Sequence, residues 1–204
     1  MRYDAEHKAR TRERVLTEAA AAIRANGPDR IGVAGLMGKA GLTHGGFYAH
    51  FKSKDDLVAQ AISHMFEESR ERFFKHTEHP DAAVALAQYI DMYVSQRHRD
   101  APERGCPLPS LSGDLARMPA AARKRFTAGL DSLTRSIARR LKELGRPAPE
   151  RLAASMLAEM VGAIALARAM EDTAASNRLL ESSREALKAR IGLQKLASVE
   201  LQRL

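Results

Sequence analysis

The sequence contains no tryptophan, and aromatic residues make up only 5% of its 204 positions. Stretches rich in Val, Ile, Thr and Tyr, which strands favour, are missing, whereas Ala, Leu, Arg and Glu abound. A sheet protein is thereby excluded and an all-α fold is expected. The single cysteine, Cys106, rules out an internal disulfide and a multi-thiolate metal site, so packing has to supply the stability. No apolar run approaches 18 consecutive residues, and Met1 to Arg14 is charged throughout instead of carrying an apolar signal core. The expectation is a soluble protein of the cytoplasm. Acidic residues are the minority charge, 25 against 33 Lys and Arg, for a net charge of +8 that favours a polyanionic partner, with nucleic acid the first suspect. The length allows one or two domains with a real core.

Helical periodicity organises what is present. Val15, Leu16, Ala19, Ala20 and Ile23 return to one face every 3.6 residues, which predicts a helix over about 7–25, stopped by Asn26-Gly27-Pro28. A short helix over 33–40 is followed by Gly41-Leu42-Thr43 and a second short helix over 44–51, with Gly41 suited to a positive φ and Thr43 to an N-cap. Ser53, followed by Asp55 and Asp56, opens a long helix that ends near His79-Pro80. A further stripe, Ala83, Leu86, Ala87, Ile90, Tyr93 and Val94, precedes the charged stretch Arg97 to Arg104, which reads as a loop because Pro102 and Gly105 interrupt it. A short helical piece over 108–118 and helices over about 120–144, 150–171 and from 176 onward complete the chain. The expected division is a small N-terminal domain, 1–53, and a larger C-terminal one, 54–204.

Helix, helix, short turn, helix within about fifty residues is how a helix-turn-helix presents its last helix to the major groove. The segments Leu36-Met37-Gly38-Lys39-Ala40-Gly41-Leu42-Thr43 and Phe47-Tyr48-Ala49-His50-Phe51-Lys52-Ser53-Lys54-Asp55-Asp56-Leu57 carry that plan. Through them the sequence resembles the TetR family of bacterial transcription regulators over roughly residues 10–60. Beyond that span only the helical layout and the length agree. On an ideal helix Phe47 and Phe51 share one face and anchor the segment, which turns Gly45 and Ala49 outward with Gly46 and Tyr48 flanking them.

The resemblance implies that His44, Gly45 and Gly46 lie at base edges and that Thr43, Tyr48, His50 and Lys54 hold phosphates, with Arg10 and Val33 completing the DNA-binding set. The two glycines let a backbone come close to DNA but leave little to form base-specific hydrogen bonds. DNA shape and an N-terminal arm, with Arg2, Lys8, Arg10 or Arg12 reaching a phosphate or minor groove, are expected to supply much of the preference. Residues 1–54 hold ten Lys or Arg against five acids, so most of the surplus charge lies there and a steep salt dependence follows. The sequence departs from the family at Gly32, where a Ser or Thr cap is usual, at Met37, where Ala is usual, and at Gly35 and Gly38 inside the second helix, which should be weak on its own.

Competing chemistries find less support. The glycines at 32, 35, 38 and 41 suggest a phosphate-cradling loop, yet Val33, and Ala40 after Gly38-Lys39, break the P-loop pattern. His76 and His79 lack any HExxH motif or thiolate cluster, so no metal is expected. Ser110, Ser112 and Asp114 have no GxSxG elbow or partner histidine, so no enzyme is expected, and no cofactor. Cys106, in Arg104-Gly105-Cys106-Pro107, either packs as a small apolar residue or senses oxidants and electrophiles, as some relatives with a cysteine here do.

In the C-terminal part, Leu86, Tyr89, Ile90 and Tyr93 are expected to line a ligand cavity with Cys106, Leu108 and Leu111, and with Phe126, Leu130 and Met160. Met156, Met160, Ala163 and Ala167 on one helix, and Leu180, Leu187 and Ile191 on the next, look suited to pair with a second copy. The reading that follows is a homodimeric repressor that binds a palindromic operator and is released by a small molecule or electrophile. Its rival is a helical dimer that binds ligands or proteins without operator recognition.

Overall fold

The computed structural model describes residues 2–41 and 43–193, and every regular element among them is helical. In order these are α1 (Arg2–Asn26), α2 (Val33–Lys39), a 3-10 helix (His44–Ala49), α3 (Lys54–His76), α4 (Ala82–Tyr93), α5 (Gln96–Asp100), a 3-10 turn (Pro102–Arg104), α6 (Pro107–Leu111), a 3-10 turn (Leu115–Arg117), α7 (Ala120–Glu143), α8 (Pro149–Ala169) and α9 (Thr173–Arg190). The chain folds as two compact units, one made of residues up to Ser69 with Pro102–Leu130, the other of Arg70–Ala101 with the residues from Asp131 onward. The units therefore interleave along the chain instead of dividing at 53/54, and the residues of α3 and of α7 are shared between them.

In the first unit the expected stripe of α1 is buried, and Leu57, Ala61, Ile62 and Met65 of α3 are buried with it. Burial of this kind contributes about 25 cal/mol per Å² of apolar surface, and it outweighs the weak intrinsic preference of any one helix here. A polar connection runs through the same interior. Arg24, its side chain only 2% exposed, pairs with Glu68 and donates to the Glu103 carbonyl at 3.2 Å, which fastens the Pro102–Arg104 turn to α1. His64 lies between Glu13, at 3.3 Å, and Glu68, at 3.6 Å.

In the second unit α4 is capped by Asp81, whose carboxylate accepts the Ala83 and Val84 amides at 2.7 and 3.4 Å. The stretch read as a loop over 97–104 instead holds α5 and a 3-10 turn. Ser95 caps α5 by accepting the His98 amide at 3.1 Å, and Arg168 donates to the His98 and Arg99 carbonyls at 2.8 and 3.1 Å. Pro102 ends the helix without preventing it, because a proline disturbs only the turn that precedes it.

Pro149–Ala169 is long and apolar enough, by length and composition, to cross a membrane, with a mean hydropathy of 1.5 over its best window. It is instead a core helix. Ala153, Met156, Leu157, Met160, Ala163, Ile164 and Ala167 are all buried. Met156, Met160, Ala163 and Ala167, and Leu180, Leu187 and Ile191 beside them, are buried within the single chain where α8 packs on α9. What α8 leaves outward is Leu166, 60% exposed, and Met170 just past its end, 38% exposed.

Candidate nucleic-acid interface

The reading head is built on α1 and α3. Gly41, at φ +70°, makes the turn after α2, a conformation that costs a residue with a Cβ about 1–2 kcal/mol. The segment that follows is a 3-10 helix where an α-helix was expected. Two consecutive glycines supply little helix propensity, and the Gly46 amide closes onto the Thr43 carbonyl at 3.1 Å, three residues back. Thr43 precedes the segment with extended backbone but makes no side-chain cap bond, contrary to expectation.

The burial pattern nevertheless agrees with the sequence. Phe47 and Phe51 are fully buried with ring centroids 5.6 Å apart, while Thr43, Gly45 and Ala49 are exposed and Gly46 is partly so. Tyr48 is 69% exposed, its ring edge-on to Phe47 at 5.2 Å. Among the described side chains the outward surface is thus two glycines, an alanine and a tyrosine. All nine expected DNA-binding residues lie in the first unit. Arg10 is exposed and 4.0 Å from Glu6, Val33 is half-buried at the first position of α2, and Lys54 is half-buried with its ammonium donating to the Asp29 carbonyl at 3.0 Å. That bond takes one of three ammonium protons and leaves two for a phosphate.

The arm expectation needs revision at Arg12. Positions 2–14 belong to helix α1 and form no extended arm. Arg12 bonds Gln60 and holds its guanidinium 5.7 Å from the centre of the Phe51 ring, so it fastens the recognition segment to α1 and α3 and does not reach outward. Lys8 lies one turn before Arg12 on the same helix. The same two cations act on His50: burial first, then Lys8 and Arg12, hold its imidazole below the ordinary histidine value. Burial alone would raise the Asp56 carboxyl, but the bonds from the Lys52 amide and Gln60, with the charges of Lys52 and Arg12, keep it below the usual carboxylate range. Asp56 also completes a reciprocal cap, its amide donating to Ser53 Oγ at 3.1 Å and its carboxylate accepting the Lys52 amide at 2.9 Å.

The expected ligand-lining residues divide between the units. Leu86, Tyr89, Ile90, Tyr93 and Met160 fall in the second, where Tyr89 and Tyr93 rings lie 5.9 Å apart. Cys106, Leu108, Leu111, Phe126 and Leu130 fall in the first. All are buried except Leu130, which is half-buried. None of them lines the cleft of about 390 Å³ between α1, α3 and α7, whose walls include Arg12, Asp56, Gln60, His64 and Arg125. Cys106 is buried just ahead of α6, with Pro107 at the first helical position, and Arg104 pairs with Glu103 at 3.6 Å. Ser112 donates to the Leu108 carbonyl at 2.6 Å, within its own turn of chain, and Asp114 pairs with Arg117 at 2.5 Å, so neither forms a nucleophile arrangement.

Family models decide what this head belongs to. The model for bacterial regulatory proteins of the tetR family matches residues 15–61, and the model for the tetracyclin repressor-like C-terminal domain matches residues 82–183. The chain belongs to the TetR family of transcription regulators. A TetR regulator from Chloroflexus aurantiacus is 27% identical over 93% of this chain and 98% of its own, with a TM-score of 0.78. A TetR-family regulator from Cytophaga hutchinsonii (22% identity, 90% and 95% coverage, TM-score 0.77) and E. coli NemR in its reduced form (18%, 88% and 95%, 0.77) share the fold. No curated protein matches the chain. As a TetR-family member it is a DNA-binding, non-enzymatic transcription factor of the helix-turn-helix class.

Proposed function

We propose that the chain is a repressor that binds a palindromic operator as a homodimer and is released when a small molecule or an electrophile acts on it. One observation carries the reading: Phe47 and Phe51 are buried while Gly45, Gly46, Tyr48 and Ala49 face outward, which leaves a bare backbone ridge flanked by groups that hold phosphate. Such a ridge suits close approach to the major groove, and the sparse side chains put the burden of selectivity on DNA shape and on backbone contacts. Burial and the charges of Lys8 and Arg12 disfavour the charged form of His50 in the free chain, so Lys8, Lys52 and Lys54 supply the electrostatic attraction.

The outward Leu166 and Met170, with Gly162 open on the same helix, support pairing of α8 with a second copy. Two heads in successive major grooves then read half-sites about 34–36 Å apart. Phosphates are held by Thr43, Tyr48, His50 and Lys54, and base edges are approached at His44, Gly45 and Gly46. The effector acts among Leu86, Tyr89, Ile90, Tyr93 and Met160 of the second unit, or at Cys106 of the first when it is an electrophile.

Selection of bound fragments from genomic DNA, followed by a mobility-shift titration at several salt concentrations, tests the reading. The expected result is a palindromic consensus bound by two chains, with affinity falling steeply as salt rises. Equal affinity for all fragments, or binding by one chain alone, overturns it and favours the ligand-binding dimer without operator recognition.

A further inference from the structure

Gly129 lies in the middle of α7, where its backbone is ordinary helix and an alanine would be favoured by about 1 kcal/mol. Helix geometry therefore does not ask for glycine, but the space around it does. A Cβ built there would overlap the Phe66 ring at Cγ, Cδ1 and Cδ2. Because Cγ is the root of the ring, rotating the ring about its own axis does not relieve the overlap. Phe66, 8% exposed, also meets Phe126 one turn earlier on α7, edge to face, with centroids 5.5 Å apart at 83°. Gly129 and Phe126 thus form a slot on α7 into which the Phe66 knob of α3 fits. Other helix glycines of the chain, Gly35 and Gly38 in α2 and Gly162 in α8, have no atom within 4 Å of such a Cβ.

The knob lies on the helix that carries the recognition segment. The Ser53–Asp56 cap and the Arg12 contacts to Gln60 and Phe51 tie that segment to the first turns of α3. A shift of α3 along α7 therefore carries the segment with it. Both helices also continue unbroken beyond the first unit, as residues 70–76 and 131–143.

We propose that Phe66 and Gly129 are a positioning pair that fixes the register of α3 on α7 and thereby sets the pose in which the head meets its operator. The pair touches no DNA and acts through α3. The proposal rests on the operator-binding reading above, so the wild-type chain is titrated first on its selected operator, and absence of binding there condemns that reading and not this one.

Three variants are then compared in the full-length chain: Gly129→Ala, Phe66→Ala, and the two combined. Each is titrated on the operator and on copies whose half-sites are moved apart or together by one base pair, with helical content followed by circular dichroism. Gly129→Ala is expected to keep its helical content, to lose about tenfold in affinity for the native spacing, within the range of ordinary coupling between sites, and to change its preferred spacing. The double variant, in which the new methyl has room, is expected to recover to within about threefold, the size of ordinary variation in such effects. A folded Gly129→Ala chain with unchanged affinity and spacing preference overturns the proposal, as does a folded double variant that recovers neither. If Gly129→Ala does not fold, Phe66→Ala alone decides: broadened tolerance of spacing supports the pair, and an unchanged preference overturns it.

Discussion

Two parts of the same head are built to different standards. The scaffold of α1 and α3 buries a continuous apolar stripe from each helix, holds the Arg24–Glu68 ion pair, and seats Phe66 of α3 in the glycine slot of α7. The α2 and recognition segments, a few residues away in sequence, bury four large side chains, Leu36, Met37, Phe47 and Phe51. They carry glycines at 32, 35, 38, 45 and 46 and have no side-chain cap at either start. The frame is thus held by far more buried contact than the groove-facing part, which is anchored chiefly at its two phenylalanines. Such a division fits a reader whose contacts are made by backbone, since loosely held backbone adapts to the shape of the duplex.

The largest expected effect strikes the scaffold. Replacing Arg24 with Met leaves Glu68 with only His64 beside it and removes the donor to the Glu103 carbonyl. Removing one member of a buried pair costs about 3–5 kcal/mol, and the low end applies because Glu68 is 32% exposed and water takes up part of the loss. A denaturant titration should show a loss of about 3 kcal/mol with an unchanged slope. A loss below about 1 kcal/mol, the value of an exposed pair, would mean that the frame does not depend on this interaction.

Much of this contrast was legible in the sequence, and the parts that were not share a cause. Local rules located the end of α1 at Asn26-Gly27, the turn at Gly41, the cap at Ser53 and the burial of Phe47 and Phe51, because each depends on residues within one turn of chain. The pairing of Arg24 with Glu68 joins residues 44 apart, and the Phe66 slot joins residues on α3 and α7, so neither leaves a local trace. The membership of Pro102–Leu130 in the head's unit was hidden for the same reason. On α8 and α9 the periodicity found the apolar stripe correctly but could not say whether the chain itself or a second copy covers it. The seven residues assigned to a dimer turned out to be covered by the chain's own packing. Among the DNA-facing residues, the spacing of Phe47 and Phe51 gave the outward set, while the commitment of Arg12 to Phe51 and Gln60 became visible only in three dimensions.

A middle-sized effect would erase part of the contrast. Gly35 and Gly38 sit in α2 with nothing within 4 Å of an added Cβ and without positive φ. Alanine at both positions should therefore stabilise α2 by about 1 kcal/mol each. In the wild-type chain α2 amides are expected to exchange quickly and to become protected on operator binding, whereas the double variant should exchange slowly even without DNA. Hydrogen exchange resolved to single amides checks this. Slow exchange in the free wild-type chain would show that α2 is already as firm as the scaffold and would remove the distinction drawn above.

The smallest effect sharpens the contrast most, because it separates holding the fold from holding DNA at one residue. Thr43 stands at the cap position of the recognition segment, yet its hydroxyl accepts no amide there, and its side chain is exposed. A capping threonine replaced by alanine costs about 1 kcal/mol, whereas an exposed residue with no such bond costs within about 0.5 kcal/mol. Thr43→Ala is therefore expected to unfold at nearly the wild-type denaturant midpoint while its operator affinity falls uniformly across sequences and its salt dependence becomes slightly shallower. That pattern marks a phosphate contact, since a lost phosphate bond weakens every sequence alike. A clear loss of stability with unchanged salt dependence would instead place Thr43 in the framework of the head, and the recognition segment would then begin with a built cap like that of α3.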